Sequence, residues 1–413
     1  MSKHVFLHSE IIFFDYQEER ASKFVKEYDQ LFENLDLSEI TRYNKGVGAS
    51  GFDQHAMIKA MIVYTKEGYR SIPQLIRELE AKPFLSTYVL GFPGKLPDES
   101  TFYRFLKHFD FQKIIDLCAK ANVKNLQQTG RKVNIVAIDS KPVVANTKEN
   151  NPKSFIHNLT DKTILPSRSE ESALGFYSST NDINGKPKRN FYWGYKLHLM
   201  VDAETDTPLV WNLTPANSYD GHEAPKLHEM LKRYYARYFG KKLIQTADKG
   251  YWDRKVFTSF MDTCGGYSAI SKNPGNQSPS QEVTLLGVPI CPAGVEMRFE
   301  GQWYDNKDKC QRYRFRCANP DQECQFRRPD KRCTKTLRIQ DPVPGMIAPF
   351  TQAFQDVYSM RQSVERVNAF ITSVGYDFPN HFIKASIKNL IGFALLAKAL
   401  TQNHRATVKL KAA

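Results

Sequence analysis

The chain has 413 residues, 41% of them hydrophobic and 12% aromatic, which is enough apolar material for a sizeable core and excludes a disordered chain. Lys and Arg number 58 against 44 for Asp and Glu, and the net charge of +14 suits a polyanionic partner such as nucleic acid. No apolar run approaches membrane-spanning length, and the opening stretch MSKHVFLHSEIIFFDYQEER lacks a cleavage site, so the reading is a soluble, cytosolic chain with no membrane partner and no disulfides.

Residues 1–130 read as mostly helical. SKFVKEYDQLFENL is amphipathic, QHAMIKAMIVYTKEGY is apolar enough to be buried, and IPQLIRELEAKPFLSTYVL opens with Pro73 near its first turn. GFPGKLPDES is punctuation, after which Asp98 or Ser100 can cap a long helix, TFYRFLKHFDFQKIIDLCAKANVKNL. A helix, a turn and a helix beginning Thr101-Phe102-Tyr103-Arg104 are compatible with a helix-turn-helix that offers Arg104 to DNA, and equally with generic helix packing.

Residues 131–260 read as an α/β core. The apolar run VNIVAIDS ends at Asp139. Residues 146–190 are polar and read as a long excursion; His157 there is a surface or packing residue, and Lys186, Lys188 and Arg189 belong to a solvated loop that can touch phosphates. FYWGYKLHLMVDAETDTPLVWNLTP alternates as a hairpin with His198 inside it. The helix HEAPKLHEMLKRYYARYFG follows, then LIQTADKGYW, whose apolar run ends at Asp248. This order of elements fits a mixed sheet with covering helices. Carboxylates held at the ends of buried strands suit a hard cation.

The stretch between Asp248 and Glu365 is far too long for a loop, so residues 261–345 are expected to form an insertion with structure of their own. VTLLGVPI, VEMRFEG and RYRFRC look like short strands between turns. Cys291, Cys310, Cys317, Cys324 and Cys333 lie here; clustered thiols suggest zinc on Cys291, Cys317, Cys324 and Cys333, although no C-x-x-C occurs and a set of reduced thiols is the alternative. Arg327, Arg328, Lys331, Arg332, Lys335 and Arg338 make the segment basic enough to grip DNA.

Residues 346–413 carry QDVYSMRQSVERVNAFITSVGYDF, a helical pattern with Val357, Met360, Val364, Val367 and Ile371 as its apolar stripe. Tyr358, Arg361 and Glu365 form a polar stripe beside it. A long apolar helix, IKNLIGFALLAKAL, comes after a Pro-containing break, and the basic tail HRATVKLKAA is expected to fray. There is no P-loop, zinc-protease helix, hydrolase elbow or dinucleotide loop, which leaves phosphoryl chemistry at three carboxylates as the best catalytic reading.

These motifs, in this order, resemble the DDE transposases of bacterial insertion sequences. Tyr358, Arg361 and Glu365 match the family pattern Y-x2-R-x3-E-x6-K, with Thr372 where the lysine falls; TADKGYW and GYKLHLMVDAETDTPLVWNLTPANSYDGHEA match the region of the second aspartate. Pro97 to Phe105 matches a stretch of the family's N-terminal helical region. The resemblance covers roughly residues 50–400. It implies an RNase H-like mixed sheet with flanking helices, an N-terminal helical DNA-binding region and a β-rich insertion before the glutamate helix. It implies catalysis by Asp139, Asp248 and Glu365 holding two Mg²⁺ (or Mn²⁺) ions, and DNA contacts from Tyr358 and Arg361. Partners would be double-stranded DNA, as terminal inverted repeats and target, and a second copy or more in a synaptic complex in a prokaryotic, nucleoid-associated setting. The alternatives are another nuclease of the same fold and a transposase-derived DNA-binding protein without catalysis.

Overall fold

In a computed structural model of the chain, the described residues are 17–43, 51–151, 171–181, 187–271, 284, 287–320, 323–326, 333–339, 343–373 and 384–412. Helix α1 (Lys23–Phe32) begins at Ser22, whose hydroxyl accepts from the Val25 amide, and it buries Val25, Tyr28, Leu31 and Phe32. Helix α2 (Gln54–Glu67) is capped by Asp53, is buried on most sides, and stops at Gly68, where φ of 67° suits glycine. Helix α3 (Ile72–Glu80) starts from Ser71 with proline in its first turn. The expected single helix across this stretch is interrupted: Pro83 disfavours helix at the residue before it, and π-type turns resume at Leu85–Leu90. The Glu19 carboxylate accepts from the amides of Phe84 and Leu85 at 2.9 and 2.8 Å, so the restart is capped from outside.

The next expected helix is also two. Helix α4 (Glu99–His108) is capped by Asp98, and Phe109 is extended. Asp110 then caps α5 (Phe111–Thr129). The bend lets Phe105 and Phe109 meet Phe393, and the Asn389 amide donates to the Leu106 and Phe109 carbonyls freed at the helix end.

Strands β1 (Val133–Val144), β2 (Ala173–Asn181), β3 (Pro187–Asp202), β4 (Thr207–Pro215), β5 (Phe239–Ala247) and β6 (Tyr267–Ile270) form one mixed sheet. The path β4-β3-β1-β5-β6 runs through it, with β2 also on β3. β3 is antiparallel to β1, β2 and β4; β1, β5 and β6 are mutually parallel along the path. β1 and β3 approach closely at Gly194, where a Cβ would stand 2.2 Å from the Val143 carbonyl oxygen.

Strand alternation sorts the sheet's residues. Val136 and Ile138 join a core under α6 (Asp220–Tyr235) and α7 (Arg254–Cys264), while Ala137 joins the opposite core under α10 (Lys384–Ala412). Helices α1 to α5 share that second core with α10. The tail expected to fray continues α10 instead, because Asn403 donates to the Asn122 side chain at 2.9 Å and Thr407 accepts from Asn125 at 3.1 Å.

After β6 the chain leaves the sheet. Strands β7 (Arg298–Asp305), β8 (Cys310–Arg316) and β9 (Thr334–Ile339) make a three-stranded antiparallel sheet over Met297, Tyr313, Phe315 and Ala348. Of the stretch expected as the first strand, Ile290 forms only an isolated bridge to Glu296. The chain returns alongside β6, where Ser268 donates to Gly345 and accepts from Ile347. It then enters α8 (Gln352–Tyr358), a 3₁₀ turn at Ser359–Arg361, and α9 (Gln362–Ser373). The expected continuous helix is therefore tightened for one turn between Tyr358 and Gln362.

Candidate active site

Asp139 is not at the end of its strand. It sits inside β1, opposite Leu199 of β3, where the parallel pairing with β5 has just stopped at Ile138 and Ala247. Asp248 is the next residue of β5's chain and begins the 3₁₀ turn Lys249–Tyr251, its carboxylate accepting from the Lys249 amide. The two carboxylates therefore flank the point at which two parallel strands part. By alternation Asp139 shares a face with Ile135 and Ala137, and Asp248 continues the row of Ile244 and Thr246. Ile135 and Ile244 pack under Phe354, Val357 and Tyr358, so helix α8 lies over this face.

Helix α9 follows on the same face. Val364, Val367 and Ile371 are buried, as the apolar stripe required. Glu365 projects beside them and accepts an ion pair from Arg361, Nη1 to Oε1 at 2.6 Å. One turn beyond Glu365, the Asn368 amide donates to Asp139 Oδ2 at 3.4 Å, tying α9 to β1. The other amide atom, Asn368 Oδ1, is buried with no hydrogen-bond partner among the described residues.

The Asp139 carboxyl is raised to about 6, chiefly by burial and further by Asp248 and Glu365, against the opposing pull of the Ser140 amide and Arg361. Asp248 and Glu365 are thus both near enough to act on Asp139, with the Arg361 guanidinium as counter-charge. Arg361 itself is held above its usual value: burial works against its charge, and Glu365 more than offsets that. Lys141, two residues beyond Asp139 on the same strand face, is lowered by burial and partly sustained by Asp139. Tyr358 stacks on Phe354 with centroids 4.9 Å apart.

The other candidates lie elsewhere or are undescribed. Arg104 is exposed on α4. Arg327, Arg328, Lys331, Arg332, His157 and Lys186 lie outside the described residues. Cys317 and Cys333 are backbone neighbours, and Cys291 and Cys333 pack against the small sheet's core. Among the described residues no three His, Cys, Asp or Glu side chains converge as a metal-holding group. Nor are the three carboxylates closed on one point; Glu365 is turned to Arg361. His198 is fully buried, with Nε2 2.9 Å from the Thr214 hydroxyl.

Two groups of residues escaped the sequence reading. Asn368 continues the stripe of Arg361 and Glu365 by one more step, which was the available signal. Arg312, Arg314 and Arg316 alternate along β8 and register with Arg338, Thr336 and Thr334 of β9, opposite the face that buries Tyr313 and Phe315. Arg314 also lies over the Trp303 ring at 5.0 Å. RYRFR reads as a strand, and its alternation puts every arginine on one side.

The family model described as the transposase DDE domain matches residues 131–401, more than half of the chain. The chain belongs to the DDE transposases. A second transposase-domain model (DUF772) matches residues 13–108 of this transposase, the part that holds α1 to α4. No curated protein matches it. A solved structure described as the piggyBac transposase synaptic complex with hairpin DNA is similar at 9% identity and a TM-score of 0.39, over 97% of this chain and 76% of that one. A likeness that slight carries no argument here. No helix among the transposase's described residues is long and apolar enough to cross a membrane.

Proposed function

We propose that this transposase cuts the ends of its own element and joins them to target DNA at a site built from Asp139, Asp248 and Glu365. The carrying observation is the placement of Asp139 and Asp248 side by side just past the last β1–β5 pair, with Glu365 on a helix that bonds to Asp139 through Asn368. The strand order β4-β3-β1-β5-β6, antiparallel on one side of β1 and parallel on the other, supports the RNase H-like assignment. On this reading residues 1–130 bind DNA, 131–260 and 346–413 make the catalytic core, and 261–345 form a DNA-gripping insertion.

The donor set fits a pair of hard divalent cations. Every group is a carboxylate oxygen, and the Asp139 carboxyl is raised first by burial and then by the neighbouring Asp248 and Glu365, conditions that a bound cation would relieve. Bound Mg²⁺ or Mn²⁺ would supply activation of the attacking hydroxyl and neutralisation of the leaving oxygen. The chain's own residues do the rest. Asp139 and Asp248 hold fixed oxygens from adjacent strands, and Glu365 supplies the third from across the cleft once Arg361 releases it. Arg361 then turns its fork to a DNA phosphate, and Tyr358, steadied by Phe354, offers a hydroxyl to the same backbone. The Arg312, Arg314 and Arg316 face of β8 provides further phosphate contacts, with Arg327 and Arg328 in the same segment and Arg104 on α4. The assembly that joins two ends contains two or more copies, in a prokaryotic cytoplasm.

The test is Mg²⁺-dependent cleavage of duplex DNA carrying the element's ends, wild type beside Asp139→Asn. Cleavage by wild type alone, with equal DNA binding by both, is the expected result. Binding without cleavage by either protein would favour a non-catalytic descendant, and cleavage by Asp139→Asn would sink the site.

A further inference from the structure

The residue after Glu365 makes the one bidentate ion pair described on α9. Arg366 donates from Nε to Asp206 Oδ2 at 2.8 Å and from Nη2 to Oδ1 at 2.7 Å. Asp206 closes the β3–β4 turn with φ of 55°, a left-handed conformation that Asp tolerates better than most residues. The turn is held from several sides. Gln402 of α10 donates to the Thr205 carbonyl at 2.8 Å, the Glu204 amide donates to Asp202 at 3.0 Å, and Arg131 pairs with Asp202 at 3.2 Å. Asp206 is therefore a fixed anchor, and the planar fork of Arg366 reads its orientation.

Helix α9 needs such an anchor. Its apolar stripe, Val364, Val367 and Ile371, is non-directional packing that resists pulling away better than rotation or sliding. It is entered through a 3₁₀ turn and carries Glu365 on an exposed flank. Asn368 reaches Asp139 from one flank and Arg366 reaches Asp206 from another, so the helix is tied on both sides of Glu365.

We propose that the Arg366–Asp206 pair is a positioning device for Glu365, fixing the rotation and register of α9 so that the third carboxylate meets the cation held by Asp139 and Asp248. The inference rests on the function proposed above. An ion pair this open to solvent contributes little to stability. Partners that orient a metal ligand from behind are worth about 10–100-fold in affinity or activity when lost.

The experiment uses the full chain as wild type, Arg366→Gln, Arg366→Lys, Asp206→Asn, the Arg366→Gln/Asp206→Asn double variant and Glu365→Gln. Three quantities are read: Mg²⁺-dependent end cleavage, Ca²⁺ binding to the DNA complex by calorimetry, and DNA affinity with thermal midpoint. Each single change at the pair should lower cleavage and weaken Ca²⁺ binding by about 10–100-fold. DNA affinity should hold within about twofold, and the midpoint should fall by no more than about 2–4 °C. Arg366→Lys keeps the charge and loses the fork, so it should resemble Arg366→Gln. The double variant should lose no more than either single one. Asp206→Asn removes a negative charge, so weaker DNA contact cannot explain its loss. Wild-type Ca²⁺ binding and cleavage in Arg366→Gln, full rescue by lysine, multiplicative losses, or losses that track the melting point would each overturn the proposal. Full cleavage by Glu365→Gln would instead overturn the functional reading, and the calorimetry would still decide whether the pair governs cation binding.

Discussion

Replacing Asp139 with Asn should make the cation-free protein more stable while destroying its activity. The carboxyl is raised from 3.8 in the unfolded chain to about 6 in the fold, chiefly by burial and then by Asp248 and Glu365. Between those two values the native state holds a proton that the unfolded state has lost, so stability falls as pH rises through the window. A shift of about two units corresponds to ~3 kcal/mol at pH 7.5, an upper bound because Asp139 is only half-buried and Arg361 lies nearby. Asn keeps the shape and can still accept from the Asn368 amide, so it removes the charge without opening a cavity. Denaturant unfolding in EDTA at pH 7.5 should show Asp139→Asn above wild type by about 1–3 kcal/mol. Below about pH 3.5, under the unfolded carboxyl's value, Asp139 is protonated in both states and the gap should nearly close. Saturating Mg²⁺ should also narrow it, by stabilising wild type alone. A neutral or destabilising effect at pH 7.5, or a gain that persists undiminished at pH 4, would refute the picture of a repelling carboxylate cluster.

His228 is fully buried, with Nε2 2.6 Å from the Gln245 side-chain oxygen and Nδ1 2.9 Å from the Ser259 hydroxyl, and burial lowers it to about 4. Its contribution should be complete above pH 6.5 and be lost as pH falls toward 4, by up to ~3 kcal/mol; a His228→Gln variant whose acid limb matches wild type would contradict this. Asn403→Leu should cost about 1–3 kcal/mol, since it strands the Asn122 oxygen between α5 and α10, and urea unfolding checks it. Arg314→Ala should weaken binding to end DNA and to unrelated DNA alike and reduce the slope of log affinity against log salt by about 1; an unchanged slope would remove β8 from the interface.

What was legible in the chain was periodicity. The apolar run VNIVAID lies in β1, and the stripe of Val364, Val367 and Ile371 is the buried side of α9, as their patterns require. Where helices end was less legible: the interruptions near Pro83 and at Phe109 depend on Glu19 and Phe393, partners remote in sequence that complete the caps and the core. The end of β1 was misjudged for a related reason. A polar residue in an apolar run looks like a terminus, but Asp139 is polar because β5 stops beside it, and β1 continues on β3. The tail of α10 looks frayed because its charges hide Asn403 and Thr407, which bond across to Asn122 and Asn125 on α5.

The same limit governs the glutamate helix. Arg361 and Glu365 could be paired from sequence because a helix fixes their separation. Arg366 could not be paired with Asp206, since the contact joins a helix to a hairpin turn far away in the chain. The side chain next to Glu365 reads as a solvated charge until the fold supplies its partner. On α9 the neighbours divide the work: valines give depth, Asn368 and Arg366 tie the helix to β1 and to the β3–β4 turn, and Arg361 pairs with Glu365, to be displaced by a cation if the proposed function holds. Losing Arg361 should then have two opposed effects, tighter Ca²⁺ binding because the competing cation is gone and slower cleavage because a phosphate contact is gone. Calorimetry and cleavage on Arg361→Gln would separate them, and a fall in both would mean that Arg361 holds Glu365 in place rather than occupying it.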